Sequence, residues 1–239
     1  MCYHNSLTAD KDQLELNYKA EFKENADWKP IYHSSGFGSR LWPIITNEES
    51  NVINLFSWAL VPHWSTAEDI KNGKFKVNTL NAKGETIFEK PSFRDSILKR
   101  RCLVPSTGFF EWQHRGEGKS AEKIPHYIQV RDQQIFSMAG IWSRWADRSG
   151  SGVSINSFSI ITTEATGIMA EIHNSKKRMP VILSKEQEQL WLNDSLGREE
   201  IAEILKPYDT SHLTAYTISK RITSKDDTNV PEVIGPCAW

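Results

Sequence analysis

The sequence predicts an α+β fold: a single domain, 1–239, in which a mixed, largely antiparallel, partly closed β-sheet is surrounded by helices. Three observations carry this. The middle of the chain is a succession of strand-like runs at 101–105, 107–112, 126–130, 135–142 and 154–162. Helical periodicity lies around these runs and does not alternate with them as strand–helix–strand units, which argues against a doubly wound parallel sheet. No repeat, low-complexity block or linker divides the 239 residues, a length ample for one core.

The elements follow in order. Asp10 with Gln13 forms a capping box, and Leu14, Tyr18 and Phe22 recur at helical spacing, which predicts a helix near 11–22. Residues 51–60 are β-prone and apolar on both faces, the pattern of a buried strand. Ser92 with Asp95 reads as a second capping box, opening a helix near 93–100. After it come the central strands, interrupted by polar, Gly-containing loops at 113–120 and 146–152. Ala165, Ile168, Met169 and Ile172 mark one face of a helix that ends beside His173. Ser184 with Gln187 caps another helix, and a last one near 198–206 stops at Pro207.

Composition excludes several classes. Lys+Arg is 29 against 30 for Asp+Glu, a net charge of −1, so an anionic partner must be held by a local basic patch. No apolar run is long enough to span a bilayer, and the first residues have neither the basic nor the apolar part of a secretion signal. Cys2, Cys102 and Cys237 are too few and too scattered for a disulfide framework or a zinc site. A cytosolic monomer without cofactor or metal is expected. The nine Trp are an unusual supply of flat apolar faces. Gly118-Lys119-Ser120 resembles the end of a phosphate loop, but Gln113 stands where the pattern needs glycine and no helix is predicted after it. No HExxH, GxSxG or CxxC occurs.

Cys2 is the most informative residue. Removal of Met1 would leave an α-amine of pKa about 8 and a thiol of pKa about 8.5 on one residue. Such a 1,2-aminothiol condenses with an aldehyde to an imine and closes to a thiazolidine; the plain alternative is a random residue on a frayed terminus. Glu111 stands in Gly108-Phe109-Phe110-Glu111-Trp112. In a strand Phe109 and Glu111 face one way, and Phe110 and Trp112 the other. A carboxylate among aromatics is costly unless paired or functional, and desolvation would raise its pKa into a useful range; a solvated edge-strand Glu is the alternative. His173 at a helix C-terminus is expected to be biased toward imidazolium and to donate protons, against a solvated cap. Asn81 could orient a nucleophile or a sugar hydroxyl, or simply form a turn.

Taken together, Met1-Cys2, Trp58-Ala-Leu-Val-Pro62-His-Trp64, Asn81-Ala82-Lys83-Gly84-Glu85-Thr86, Arg101-Cys-Leu-Val-Pro105, Gly108-Phe-Phe-Glu111-Trp112 and His173 followed by Arg178-Met179-Pro180 resemble the SOS response-associated peptidase (SRAP) family, in the family's order. The resemblance implies a domain that shields abasic sites in single-stranded DNA through a thiazolidine between the N-terminal Cys and the sugar aldehyde. It implies Cys2 as nucleophile, Asn81 as the residue positioning amine and sugar, Glu111 as the proton carrier of imine formation, and His173 as the assistant to ring opening and crosslink reversal. It also implies removal of the initiator residue, by the domain itself in some accounts, and lyase activity as a further possibility.

The chain departs from the family pattern in three places. Cys-Gly-Arg is Cys2-Tyr3-His4, Asn-Ala-Arg is Asn81-Ala82-Lys83, and two extra residues separate His173 from Arg178. Lys83 keeps a charge but loses the bidentate fork of arginine. Phosphate contacts are therefore expected from a lip of Lys83, Lys176, Lys177 and Arg178, with His4 in place of the family arginine and Trp64 and Trp112 as base-stacking platforms. Two other classes stay open: an N-terminal-nucleophile hydrolase with Cys2 attacking an amide, and a single-strand DNA-binding module without chemistry.

Overall fold

The computed structural model describes residues 2–239 apart from 117, 119, 120 and 150. Lys119 and Ser120 of the phosphate-loop resemblance, and Met1, lie outside the described residues. In chain order the strands are β1 (His4–Leu7), β2 (Glu21–Phe22), β3 (Ile31–Ser35), β4 (Leu41–Thr46), β5 (Val52–Trp58), β6 (Asn81–Lys83), β7 (Arg101–Ser106), β8 (Gly108–Arg115), β9 (Glu122–Val130), β10 (Phe136–Ala146), β11 (Ser154–Glu164), β12 (Arg178–Pro180), β13 (Ile182–Leu183) and β14 (Leu213–Thr217). The helices are α1 (Lys11–Tyr18), α2 (Ala67–Lys71), α3 (Arg94–Lys99), α4 (Gly167–Ile172), α5 (Lys185–Trp191) and α6 (Arg198–Ile204).

Two sheets share these strands. One is antiparallel throughout, in the order β14-β9-β8-β1-β3. The other runs β12-β11-β10-β7-β4-β5-β2, and a short parallel pairing of β11 with β5 (Ser157 with Ser57, Phe158 with Trp58) closes it into a barrel of β11, β10, β7, β4 and β5. The fold is thus α+β with a partly closed, largely antiparallel sheet, as the strand-rich middle predicts. Closure removes the exposed edges that so many strands would otherwise present.

The elements differ from expectation in instructive places. The first helix stops at Tyr18, not 22, because Lys19 turns left-handed (φ 51°) and its N–H returns to Glu15; Glu21 and Phe22 then pair with Val52 and Ile53. The boxes at Asp10/Gln13 and Ser184/Gln187 form. The one at Ser92/Asp95 does not. There the carbonyl of Lys90 accepts from the N–H groups of both Phe93 and Arg94, so a turn feeds the helix and Phe93 becomes its cap. β8 continues to Arg115 and β10 to Ala146, shortening both expected loops.

One large apolar core serves both sheets, and a small second core of Phe110, Tyr127, Ile218, Ile222 and Val233 lies outside the antiparallel sheet. The tryptophans pin the barrel. Indole N–H groups of Trp28, Trp42, Trp58, Trp145 and Trp191 donate to the carbonyls of Ala9, Pro105, Leu80, Ser65 and Cys102. Each buries a large ring without orphaning its donor. No helix among the described residues is long and apolar enough to cross a membrane.

Candidate active site on the N-terminal strand

The site begins with a polar strand that is buried. β1, His-Asn-Ser-Leu, lies between β3 and β8 with His4 opposite Phe110 and Asn5 opposite Phe109. Burial is tolerated because most of its polar atoms find partners, Asn5 Nδ2 being the exception among the described residues. Asn5 Oδ1 accepts from the Ser106 hydroxyl at 2.7 Å, the Ser6 carbonyl accepts from Thr107 N–H at 2.9 Å, and Thr8 N–H donates to Thr107 Oγ1 at 3.0 Å. The β7–β8 turn therefore fixes the strand that carries Cys2. Gly108 starts β8 because the Tyr127 ring occupies the place a Cβ would take.

Cys2 is 2% exposed, and its thiol lies close enough to Glu111 to feel that carboxylate's charge. Burial pushes the thiol well above its usual range, so by itself it is a thiol rather than a thiolate. Glu111 is 3% exposed, on the same face of β8 as Phe109, with Phe110 and Trp112 packed into the second core behind it. Burial pushes its pKa up to about 7. Its Oε1 has no hydrogen-bond partner among the described residues, and its Oε2 lies 3.5 Å from Nδ1 of His173.

His173 caps α4, as its position in the sequence suggests, but the expected bias to imidazolium is overturned. The side chain is buried and its pKa falls to about 4, with desolvation the largest cause. The six-residue α4 is a weak dipole against that penalty. Nδ1 donates to the Arg178 carbonyl at 2.7 Å, which places the ring proton there and the lone pair on Nε2. At neutral pH His173 is a base, not a proton donor.

Asn81 belongs to β6, which runs parallel to β11 with Asn81 beside Ile160, so it is no turn residue. It is 7% exposed, and neither Oδ1 nor Nδ2 has a hydrogen-bond partner among the described residues. A buried amide left unsatisfied on both atoms is costly. Asn81, Lys83, Phe75 and Phe93 line a cavity of about 420 Å³. Leu80, the residue before Asn81, lies against Gly36, whose N–H donates to the Tyr3 carbonyl at 2.8 Å.

The other residues singled out in the sequence are placed differently. Trp64 is 40% exposed and meets Phe75 edge-on at 5.9 Å, beside the Asn81 cavity. Trp112 lies on the opposite face of β8 from Glu111, edge-on to His4 at 4.8 Å. His4 stacks on His33 with Nδ1 and Nε2 2.8 Å apart, and burial lowers its pKa to about 3, so it carries no charge for a phosphate. Lys83, Lys176 and Lys177 are exposed. Arg178 is committed to a bidentate pair with Glu85 at 2.6 and 2.8 Å and to the Thr162 carbonyl at 2.7 Å. Glu85, His33 and Phe75 escaped the sequence reading. Glu85 alone had a signal, two residues after Lys83 in a quoted motif. No group of three His, Cys, Asp or Glu side chains among the described residues is arranged to hold a metal ion.

A buried cysteine at position 2, a buried carboxylate of raised pKa and a neutral histidine thus cluster on an α+β barrel. Residues 1–225 match the SOS response associated peptidase (SRAP) family, and the chain belongs to it. It is 31% identical to the abasic site processing protein YoqW of Bacillus subtilis (strain 168), over 98% of this chain and 99% of that one. It is 28% identical to the abasic site processing protein HMCES of Rattus norvegicus, over 80% of this chain and 58% of that one. A crystal structure of a protein from Bacteroides thetaiotaomicron superposes with a TM-score of 0.90 at 42% identity, covering 99% of this chain and 100% of that one.

Proposed function

We propose that this protein processes abasic sites in single-stranded DNA by covalent capture, with Cys2 as the attacking residue. The observation that supports it most is the Cys2–Glu111–His173 cluster: a thiol, a proton carrier and a base buried side by side. The names of the relatives, abasic site processing proteins, support abasic DNA as the substrate class.

Chemistry requires first that Met1 leave by hydrolysis, since a Cys2 amine held in a peptide bond cannot form an imine. The abasic sugar rests mainly as a ring. His173, neutral and basic, takes the anomeric hydroxyl proton while the protonated fraction of Glu111 supplies one to the ring oxygen, releasing the aldehyde. The Cys2 amine adds to the aldehyde carbon, and the carbinolamine loses water to give the imine. Cys2 sulfur then adds to the imine carbon, its proton passing through Glu111 to nitrogen. A C–N and a C–S bond form and one water leaves. Asn81 offers its two unsatisfied atoms to the opened sugar or the amine. A Glu of pKa about 7 holds both protonation states in useful amounts at neutral pH, which a solvated Glu would not.

The test is a denaturing gel of purified protein mixed with abasic single-stranded DNA. A shifted band that persists through denaturation is expected for the wild type, and its loss for Cys2→Ala. Adduct of wild-type yield in Cys2→Ala would refute the reading. Turnover of an amide without adduct would favour a hydrolase.

A further inference from the structure

The turn between β3 and β4 carries a surface that the site above does not use. It is fastened to the residue after the nucleophile through the Gly36 N–H bond to the Tyr3 carbonyl. Phe37, on this turn, is 44% exposed, and its ring lies 5.0 Å from that of Tyr3. Beside it a cavity of about 400 Å³ is lined by Ser35, Ser39, Arg40, Thr228 and Asp227 among others. Arg40 is exposed and has no ion pair or hydrogen bond among the described residues. Ser35 Oγ accepts from Phe37 N–H at 3.3 Å, which leaves its proton for another acceptor. Asp227, the opposing charge, is engaged by the Asn229 N–H at 2.9 Å.

We propose that Phe37, Arg40 and this cavity form the subsite for a nucleotide flanking the abasic position. The base lies on Phe37, and its phosphate meets Arg40 and the hydroxyls of Ser35 and Ser39. The inference rests on the reading of the ligand as single-stranded DNA. An abasic nucleotide has no base to grip, so affinity must come from its neighbours, through stacking and phosphate contacts. The strand that reaches Cys2 passes the residue adjoining it, and the ring on Tyr3 is Phe37. With His4 uncharged and Arg178 paired to Glu85, Arg40, on the turn bonded to Tyr3, is a guanidinium left to receive a phosphate.

The experiment measures affinity for an undamaged single-stranded oligonucleotide by fluorescence anisotropy across a salt series. Undamaged DNA offers no aldehyde, so the result is independent of the Cys2 chemistry that the denaturing gel tests. Arg40→Ala is expected to weaken binding roughly three- to tenfold and to reduce the salt slope by about one phosphate contact. Phe37→Ala is expected to weaken it by roughly fivefold or more, with Phe37→Trp restoring it. Both side chains are exposed, so neither loss is expected to unfold the protein. Arg131→Ala, an exposed arginine at the end of β9, is the control for bulk charge. The proposal is overturned if Arg40→Ala and Phe37→Ala bind like the wild type, if Arg131→Ala weakens binding equally, or if the wild type does not bind this oligonucleotide.

Discussion

At the scale of single residues the site is organised around the cost of burying Glu111. Its carboxylate is desolvated and one oxygen is unpaired among the described residues, so folding favours the protonated form and its pKa rises from 4.5 to about 7. The folded state therefore binds more protons than the unfolded state between about pH 4.5 and 7, and this group's contribution to stability falls as pH rises through that window. Glu111→Gln removes the penalty. Above pH 7 it should stabilise the protein by about 2 kcal/mol, a Tm gain of roughly 4–8 °C that shrinks toward pH 5. Adduct formation should slow by roughly 100-fold, and the decline of the wild-type rate below about pH 7, where Glu111 can no longer accept the thiol proton, should vanish. Melting curves and rates of the two proteins across pH 5–8 check both; a variant less stable at pH 8 and no slower would return Glu111 to a packing role. Residue type and alternation were enough to mark Glu111 in the sequence, because a carboxylate set among aromatics breaks a local rule. The protonation state of His173 was not legible, because it depends on burial contributed by distant segments.

At the scale of elements, Arg101 shows what a strand does for the helices around it. It is fully buried at the start of β7, and its guanidinium donates to the carbonyls of Ile97 and Leu98 at the end of α3 and of Trp191 and Asn193 at the end of α5. Carbonyls at helix ends lack partners within the helix, and a cation suits the negative ends of both helices. Arg101→Met should cost about 3 kcal/mol, since it orphans several buried carbonyls, and lower Tm by roughly 6–12 °C. Thermal denaturation measures this directly; a shift under about 2 °C would show that water replaces the guanidinium. Nothing in Arg101-Cys-Leu-Val-Pro105 announces the role, since two of its acceptors, Trp191 and Asn193, lie far along the chain. β1 was hidden for a related reason. Its burial rests on hydrogen bonds from the β7–β8 turn rather than on apolar side chains, so no period-2 pattern marks it. The long apolar strands, by contrast, were visible because burial on both faces leaves its mark in composition.

At the scale of the whole molecule, burial acts on several histidines at once. His4, His33 and His173 have pKa values lowered to about 3, 4 and 4, with desolvation the first cause in each. On unfolding they return toward 6.5 and take up protons, so the unfolded state binds more protons between about pH 4 and 6.5 and stability is lost as pH falls through that range. Glu111 pulls the other way in part of the window, but one carboxylate opposes three histidines. A Tm loss of roughly 10 °C or more between pH 7 and 4.5 is expected; a flat profile would contradict the buried neutral histidines. The fold class was legible because strands crowded the middle of the sequence without alternating helices. The closure of the barrel was not, because the β11–β5 contact joins segments about a hundred residues apart through only two residue pairs.

The central claim is that the Cys2 amine and thiol together capture the abasic aldehyde, and the chain carries Met1 ahead of Cys2. The most direct test is intact mass of a preparation containing both Met1-retaining and Met1-lacking chains, before and after incubation with abasic single-stranded DNA. The account predicts an adduct, at the summed mass less one water, only on the chains that lack Met1, with the DNA mapped to Cys2. An equal adduct on chains that retain Met1 would contradict it.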